Sequence, residues 1–119
     1  MARKKDPIIA LRKKADRLWF IRNINPICEN CGGKATQCHH FFPKRNFGHL
    51  RYDDDNAISL CASCHMGIHH RGDPTINETI IKNRGNKWYE ALKKKAFNRP
   101  KGTYITVGWY REQIKRLEE

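Results

Sequence analysis

Two cysteine pairs of identical spacing, Cys28-x2-Cys31 and Cys61-x2-Cys64, constrain this chain more than any other feature. Thiolates two residues apart can both reach one tetrahedral ion. Gly32 and Gly33, directly after the first pair, permit the tight turn that aims backbone amides at sulfur. The chain has 119 residues, enough for one small domain and not for two. With 39% hydrophobic and 30% charged residues its core is thin, and a metal staple would consolidate it. The cysteine count is five, an odd number, and no apolar stretch of a signal peptide follows the basic start Met1–Asp6. These features predict a reducing, cytoplasmic setting in which paired thiols bind metal instead of forming disulfides. A redox role for the two pairs would call for a thioredoxin-like βαβ pattern, which does not surround them. We therefore expect a structural Zn2+ on Cys28, Cys31, Cys61 and Cys64. Cys38 is left over, either as a small buried residue or as a substitute for one of the four.

The formal net charge is +12 and the pI about 9.8, which points to an acidic polymer as partner, nucleic acid first. A merely solvated or ribosomal-type surface is the alternative. No apolar run approaches the ~20 residues that span a bilayer. The charge is not spread evenly. Residues 1–22 carry eight Lys/Arg against two acids and residues 71–119 twelve against six, while residues 23–70 are balanced at four each. All cysteines and histidines lie in that neutral centre.

The basic arms read as helices. Ile8, Leu11, Ala15, Leu18 and Trp19 recur at helical spacing, with Asp6 as N-cap, Pro7 at the first helical position and Pro26 as the latest end. After the centre, Thr75 or Asn77 can cap a helix near 78–84. Gly85 interrupts, and a second helix is predicted over 86–97. Residues 99–102 form a break, 104–107 are β-prone, and 109–117 read as a final amphipathic helix. Trp19, Trp88 and Trp109 are expected in the core.

His39 and His40 are adjacent, so in an extended segment their side chains point to opposite faces and take different roles. Asn56 leads into the β-like run Ala57-Ile58-Ser59-Leu60. His65 and His69 then sit four apart, on one face of a helix that Gly67 weakens and Gly72 ends, where both imidazoles can hold one ion. The acidic run Asp53-Asp54-Asp55 reads as a turn before the second strand.

The string Cys28-x2-Cys31-Gly, Cys38-His39-His40, Asn56, Leu60-Cys61-x2-Cys64-His65-x3-His69 resembles the HNH, or ββα-metal, endonuclease motif in its four-cysteine subtype. The flanks are more loosely similar to phage NinG/Rap-type recombination endonucleases. The likeness rests on a basic helix ending in Trp19-Phe20-Ile21-Arg22, the Leu50-Arg51-Tyr52-Asp53 approach to Asn56, and a tail with Gly85, Trp88 and Leu92.

The resemblance implies an α+β fold: a small ββα-metal core over 27–72 between a basic N-terminal helix (1–26) and a basic helical extension (73–119), all one nuclease domain over 1–119. It implies that His40 is the general base activating water and that Asn56 orients it. His39, His65 and His69 would ligate one divalent catalytic ion (Mg2+, Mn2+, Ni2+ or Zn2+). On the loop between the strands, Lys44, Arg45, His49 and Arg51 would contact phosphate. The expected activity is phosphodiester hydrolysis of double-stranded or branched DNA, with weak sequence preference, by a monomer or a dimer. The rivals are a non-catalytic zinc-dependent DNA- or RNA-binding module, which leaves His40 and Asn56 unexplained, and a zinc-stabilised scaffold, which leaves the charge unexplained as well.

Overall fold

The computed structural model describes residues 7–101 and 105–119. Among the described residues seven helices and strands follow one another: α1 (Pro7–Asn23), β1 (Gln37–His40), β2 (Ala57–Leu60), α2 (Ala62–Arg71), α3 (Pro74–Arg84), α4 (Asn86–Phe97) and α5 (Val107–Leu117). Short 3-10 turns at Gly48–Leu50 and Asp54–Asn56 shape the connection between the strands. The fold is α+β, as expected. The two strands form an antiparallel hairpin in which His39 faces Ile58 and His40 faces Ala57. Asp6, the expected cap of α1, lies outside the described residues.

All four residues of β2 are buried because the strand lies between two apolar clusters. Ile58 and Leu60 join one with Cys28, Phe41, Leu50, Ile76, Ile80 and Leu92. Ala57 joins the other with Ala15, Trp19, Tyr52, Tyr110, Ile114 and Leu117. The second cluster exists because α5 returns to pack along α1, where the Arg12 Nε–H donates to the Tyr110 hydroxyl at 3.0 Å. Of the three tryptophans, Trp19 is fully buried, and Trp88 and Trp109 pack against the clusters from their edges.

Gly72 ends α2 in the left-handed region (φ 57°), and the chain turns straight into α3. The sequence suggested a cap at Thr75 or Asn77. Instead Asp73 caps the helix, accepting from the Thr75 amide at 2.9 Å, and Pro74 occupies its first turn. Gly67, a poor helix former, is explained by packing. A Cβ there would come within 2.9 Å of Ile76 Cδ1, so glycine lets α2 and α3 approach closely. The β-prone segment 104–107 makes no strand in its described part. Thr106 caps α5 by accepting from the Trp109 amide at 3.1 Å, and Val107 is already helical.

The acidic run forms the expected turn and is neutralised by three helices. Asp54 accepts from Arg22 of α1 at 3.1 Å and from Arg116 of α5 at 3.4 Å, while Lys95 of α4 reaches Asp53 at 3.3 Å and Asp55 at 3.2 Å. Each pair is partly exposed and individually weak. Together they tie the basic arms to the turn that precedes β2. Among the described residues no helix is long and apolar enough to cross a membrane.

Candidate metal centres and catalytic cleft

The four paired cysteines converge. Their sulfurs all lie within 4.8 Å of one another, and Cys31 Sγ is 3.7 Å from Cys61 Sγ. A tetrahedral ion with metal–sulfur bonds of about 2.3 Å sets ligand edges of about 3.8 Å, so the set fits such an ion. The turn after Cys31 places Gly32 at φ 78°, and the Gly33 amide donates to Cys31 Sγ at 3.4 Å. Cys61 caps α2, its sulfur accepting from the Cys64 amide at 3.4 Å. Burial alone would raise the Cys28 thiol, but the amides of Cys31, Cys61 and Asn30 outweigh it and bring it down to about 6. Cys64 is pushed up to about 12, by burial first and then by the neighbouring sulfurs. Four thiolates this close require a cation to ionise together. Cys38 lies outside this set, and burial pushes its thiol up to about 12.

A second convergence lies where β1 meets α2. His39, His65 and His69 bring ligand nitrogens within 4.8 Å of one another. The His65 and His69 rings, one helical turn apart on α2, have centroids 4.4 Å apart, and His39 lies 5.5 and 5.2 Å from them. Burial, and then the neighbouring imidazoles, push His39 down to about 3 and lower His65. Neutral rings keep the lone pairs that a metal needs. The cluster opens onto a cleft of about 580 Å³, which Lys44, Arg45, Ile68 and Asn77 also line, so an ion held by three nitrogens there would keep room for further ligands.

His40 borders the same cleft but has different partners, as the strand alternation predicts. Its Nε2 lies 2.9 Å from the Arg51 carbonyl oxygen. A carbonyl only accepts, so Nε2 carries the proton and Nδ1 keeps its lone pair. The ring stacks flat on Trp19, with centroids 4.2 Å apart and planes 9° apart. Burial pushes its pKa down to about 4 against the opposing Arg51 carbonyl bond, with Lys44 and Arg51 lowering it further.

The other expected site residues differ in their surroundings. Asn56 is completely buried, and its side chain bonds to the backbone of Phe42 and Leu50, not to His40. It therefore holds the loop that leaves β1, and the imidazole itself is oriented by Arg51 and Trp19. Among the four loop residues expected at phosphate, Lys44 and Arg45 do line the cleft. Arg51 does not offer its charge, because its guanidinium is committed to both oxygens of Asp16 at 2.9 and 2.8 Å. His49 bonds to the Lys95 carbonyl at 3.0 Å and sits beside Asp53–Asp55, away from the histidine cluster.

Sequence reasoning missed Asp16, which also accepts from the Tyr52 hydroxyl at 2.8 Å and so fixes the segment whose carbonyl holds His40. It also missed Glu29, inside the first cysteine pair, which binds Arg84 of α3 at 2.6 and 2.8 Å and accepts from the Ser59 amide at 2.9 Å. The one available signal was that Asp16 and Trp19 share a face of α1.

The HNH endonuclease family model matches residues 28–71, which contain every cysteine and histidine of both centres. A type IV methyl-directed restriction enzyme of Escherichia coli (strain K12), EcoKMcrA, is 28% identical over 72 residues, covering 52% of this chain and 25% of the relative. The chain thus spans about a quarter of the length of that curated protein. No solved structure gives a significant match. With a two-stranded hairpin, a helix carrying paired histidines and a four-cysteine site all inside the matched segment, residues 28–71 resemble an HNH endonuclease domain in sequence and in architecture.

Proposed function

We propose that this chain is a metal-dependent DNA endonuclease that hydrolyses phosphodiester bonds in the cleft between β1 and α2. The observation that carries this reading is the pairing of two different histidine environments in one cleft: a cluster of three imidazoles whose nitrogens converge, and beside it a fourth, fixed through Nε2 with Nδ1 left free to accept. A structural Zn2+ on the four cysteines and a single divalent ion on His39, His65 and His69 complete the proposal, in the reducing cytoplasm that free thiolates require.

The chain's own residues have these roles. Lys44 and Arg45 hold the DNA backbone across the cleft mouth. His40 Nδ1 accepts a proton from the water that attacks phosphorus. Trp19 and the Arg51 carbonyl keep that ring in place, and Asn56 holds the loop that carries Lys44. His39, His65 and His69 would hold the divalent ion, which would supply polarisation of the phosphate and stabilisation of the leaving oxygen. One such site cuts one strand.

The test is supercoiled plasmid and a synthetic four-way junction, each incubated with the chain in Mg2+, in Mn2+ and in EDTA, with circular dichroism confirming that the fold survives each condition. We expect metal-dependent nicking, and binding that weakens steeply with salt. A junction cut in preference to plasmid would support the role in phage recombination that the flanking helices suggest. Tight binding without cutting in any metal would favour the non-catalytic zinc-dependent DNA- or RNA-binding module.

The stack on His40 gives a sharper check. Aromatic pairs of this kind contribute about 0.5–1.5 kcal/mol beyond burial. Trp19→Leu is therefore expected to fold, bind DNA normally and cut about three- to tenfold more slowly. Trp19→Phe, which keeps a ring over the imidazole, should stay close to wild type. Equal rates for the two variants in a single-turnover assay would show that Trp19 serves packing alone.

A further inference from the structure

Phe97, the last residue of α4, is 69% exposed. Its ring is not isolated. Phe47 lies 5.6 Å from it and Phe42 6.3 Å, both edge-on, and Phe42 and Phe47 touch at 5.1 Å. The Arg99 guanidinium lies 5.5 Å from the Phe47 centroid and donates to the Asn46 carbonyl. The same loop continues into the cleft, since Phe42 precedes Pro43, Lys44 and Arg45, which line it beside His39 and His40. Among the described residues no ion pair holds Lys44 or Arg45.

An aromatic ring this exposed gains little from folding, because its contribution scales with the apolar area removed from water. Its neighbours indicate what covers it. An apolar protein surface seated here would have to strip water from Lys44, Arg45 and Arg99 with no charge in return. A nucleic acid strand brings phosphates to those cations and flat base faces to the ring. We propose that Phe97, supported from behind by Phe42 and Phe47, is a stacking site for an unpaired nucleobase of the strand held in the cleft. DNA with a gap or branch beside the cut phosphate is then a better ligand than continuous duplex. Phe97 and Arg99 both lie beyond the residues that match the HNH family, whereas Phe42, Lys44, Arg45 and Phe47 lie within them.

The inference rests on the nuclease reading of the same cleft, and binding separates the two. Zinc-loaded His40→Ala protein, used so that cutting is slow on the timescale of binding, is titrated with a labelled duplex and with the same duplex carrying a short gap that contains 2-aminopurine. We expect the gapped DNA to bind about tenfold more tightly, with a change in 2-aminopurine emission. Adding Phe97→Ala should abolish both the preference and the emission change while leaving duplex affinity and melting temperature alone, and Phe97→Trp should restore them. Equal affinity for the two DNAs, or a preference that survives Phe97→Ala, overturns the stacking site. It does so too if sedimentation shows self-association that Phe97→Ala removes while the DNA preference stays. Failure to bind any DNA overturns the nuclease reading and this inference with it.

Discussion

Cys61→Ala is expected to yield a chain that never reaches its native fold, not a folded nuclease without activity. The four sulfurs join the knuckle at residues 28–31, which precedes β1, to the start of α2, which follows β2, so one ion would close the whole hairpin. Structural zinc in small domains contributes about 10 kcal/mol or more to folding. A domain of this size has a total stability of about 5–15 kcal/mol. Losing one ligand therefore removes most or all of the margin. The cap that Cys61 provides to α2 adds only about 1 kcal/mol, so the metal term decides the outcome. Because α2 also carries His65 and His69, the second centre is lost with the first. Wild-type protein should contain one tightly held zinc and melt cooperatively, and Cys61→Ala should contain none and show no cooperative transition by circular dichroism. Cys38→Ala, outside the sulfur cluster, should keep both zinc and transition. A Cys61→Ala protein with a native near-ultraviolet spectrum would refute the structural role.

The parts of this molecule that were legible in the sequence are those set by local spacing. Two thiols two residues apart, two histidines one helical turn apart and an apolar run ending at Leu60 each imply their geometry without knowledge of the rest of the chain. Adjacent histidines on a strand had to face opposite ways, and they do: His39 toward α2, His40 toward α1. What stayed hidden are pairings between distant residues. Asp16 meets Arg51 across 35 positions, Glu29 meets Arg84 across 55, and Arg12 meets Tyr110 across 98. No local rule links such residues, so Arg51 reads as a loop cation when its charge is in fact spent on α1. For the same reason the two terminal arms read as basic extensions. In the fold, α1 supplies the ring under His40, and α4 and α5 close the acidic turn before β2. The backbone partners of Asn56 were equally hidden, because a buried amide can serve any backbone within reach and only the loop's path shows which.

His40→Ala is expected to lower the single-turnover cleavage rate by about 10²–10⁴-fold, the usual contribution of a general base, while DNA affinity stays within about twofold. Structural damage is the competing explanation for such a loss. Truncation removes a stack on Trp19 and a donor to the Arg51 carbonyl, which together cost about 1–3 kcal/mol. That is well below the stabilisation a structural zinc supplies, so the variant should remain folded, and its melting curve checks this. The second competing explanation is loss of the catalytic ion. His39→Ala separates it, because the neighbouring residue faces the other way. His39 belongs to the cluster with His65 and His69, whereas the His40 ring is held by Trp19 and Arg51. Titration with Mn2+ or Co2+ should therefore show binding to the histidine cluster retained in His40→Ala and weakened in His39→Ala, although both variants cut poorly. A His40→Ala protein that cuts as fast as wild type would remove His40 as the base. One that cuts slowly only because it no longer binds metal would move His40 into the ligand set, against the strand alternation that puts these two side chains on opposite faces.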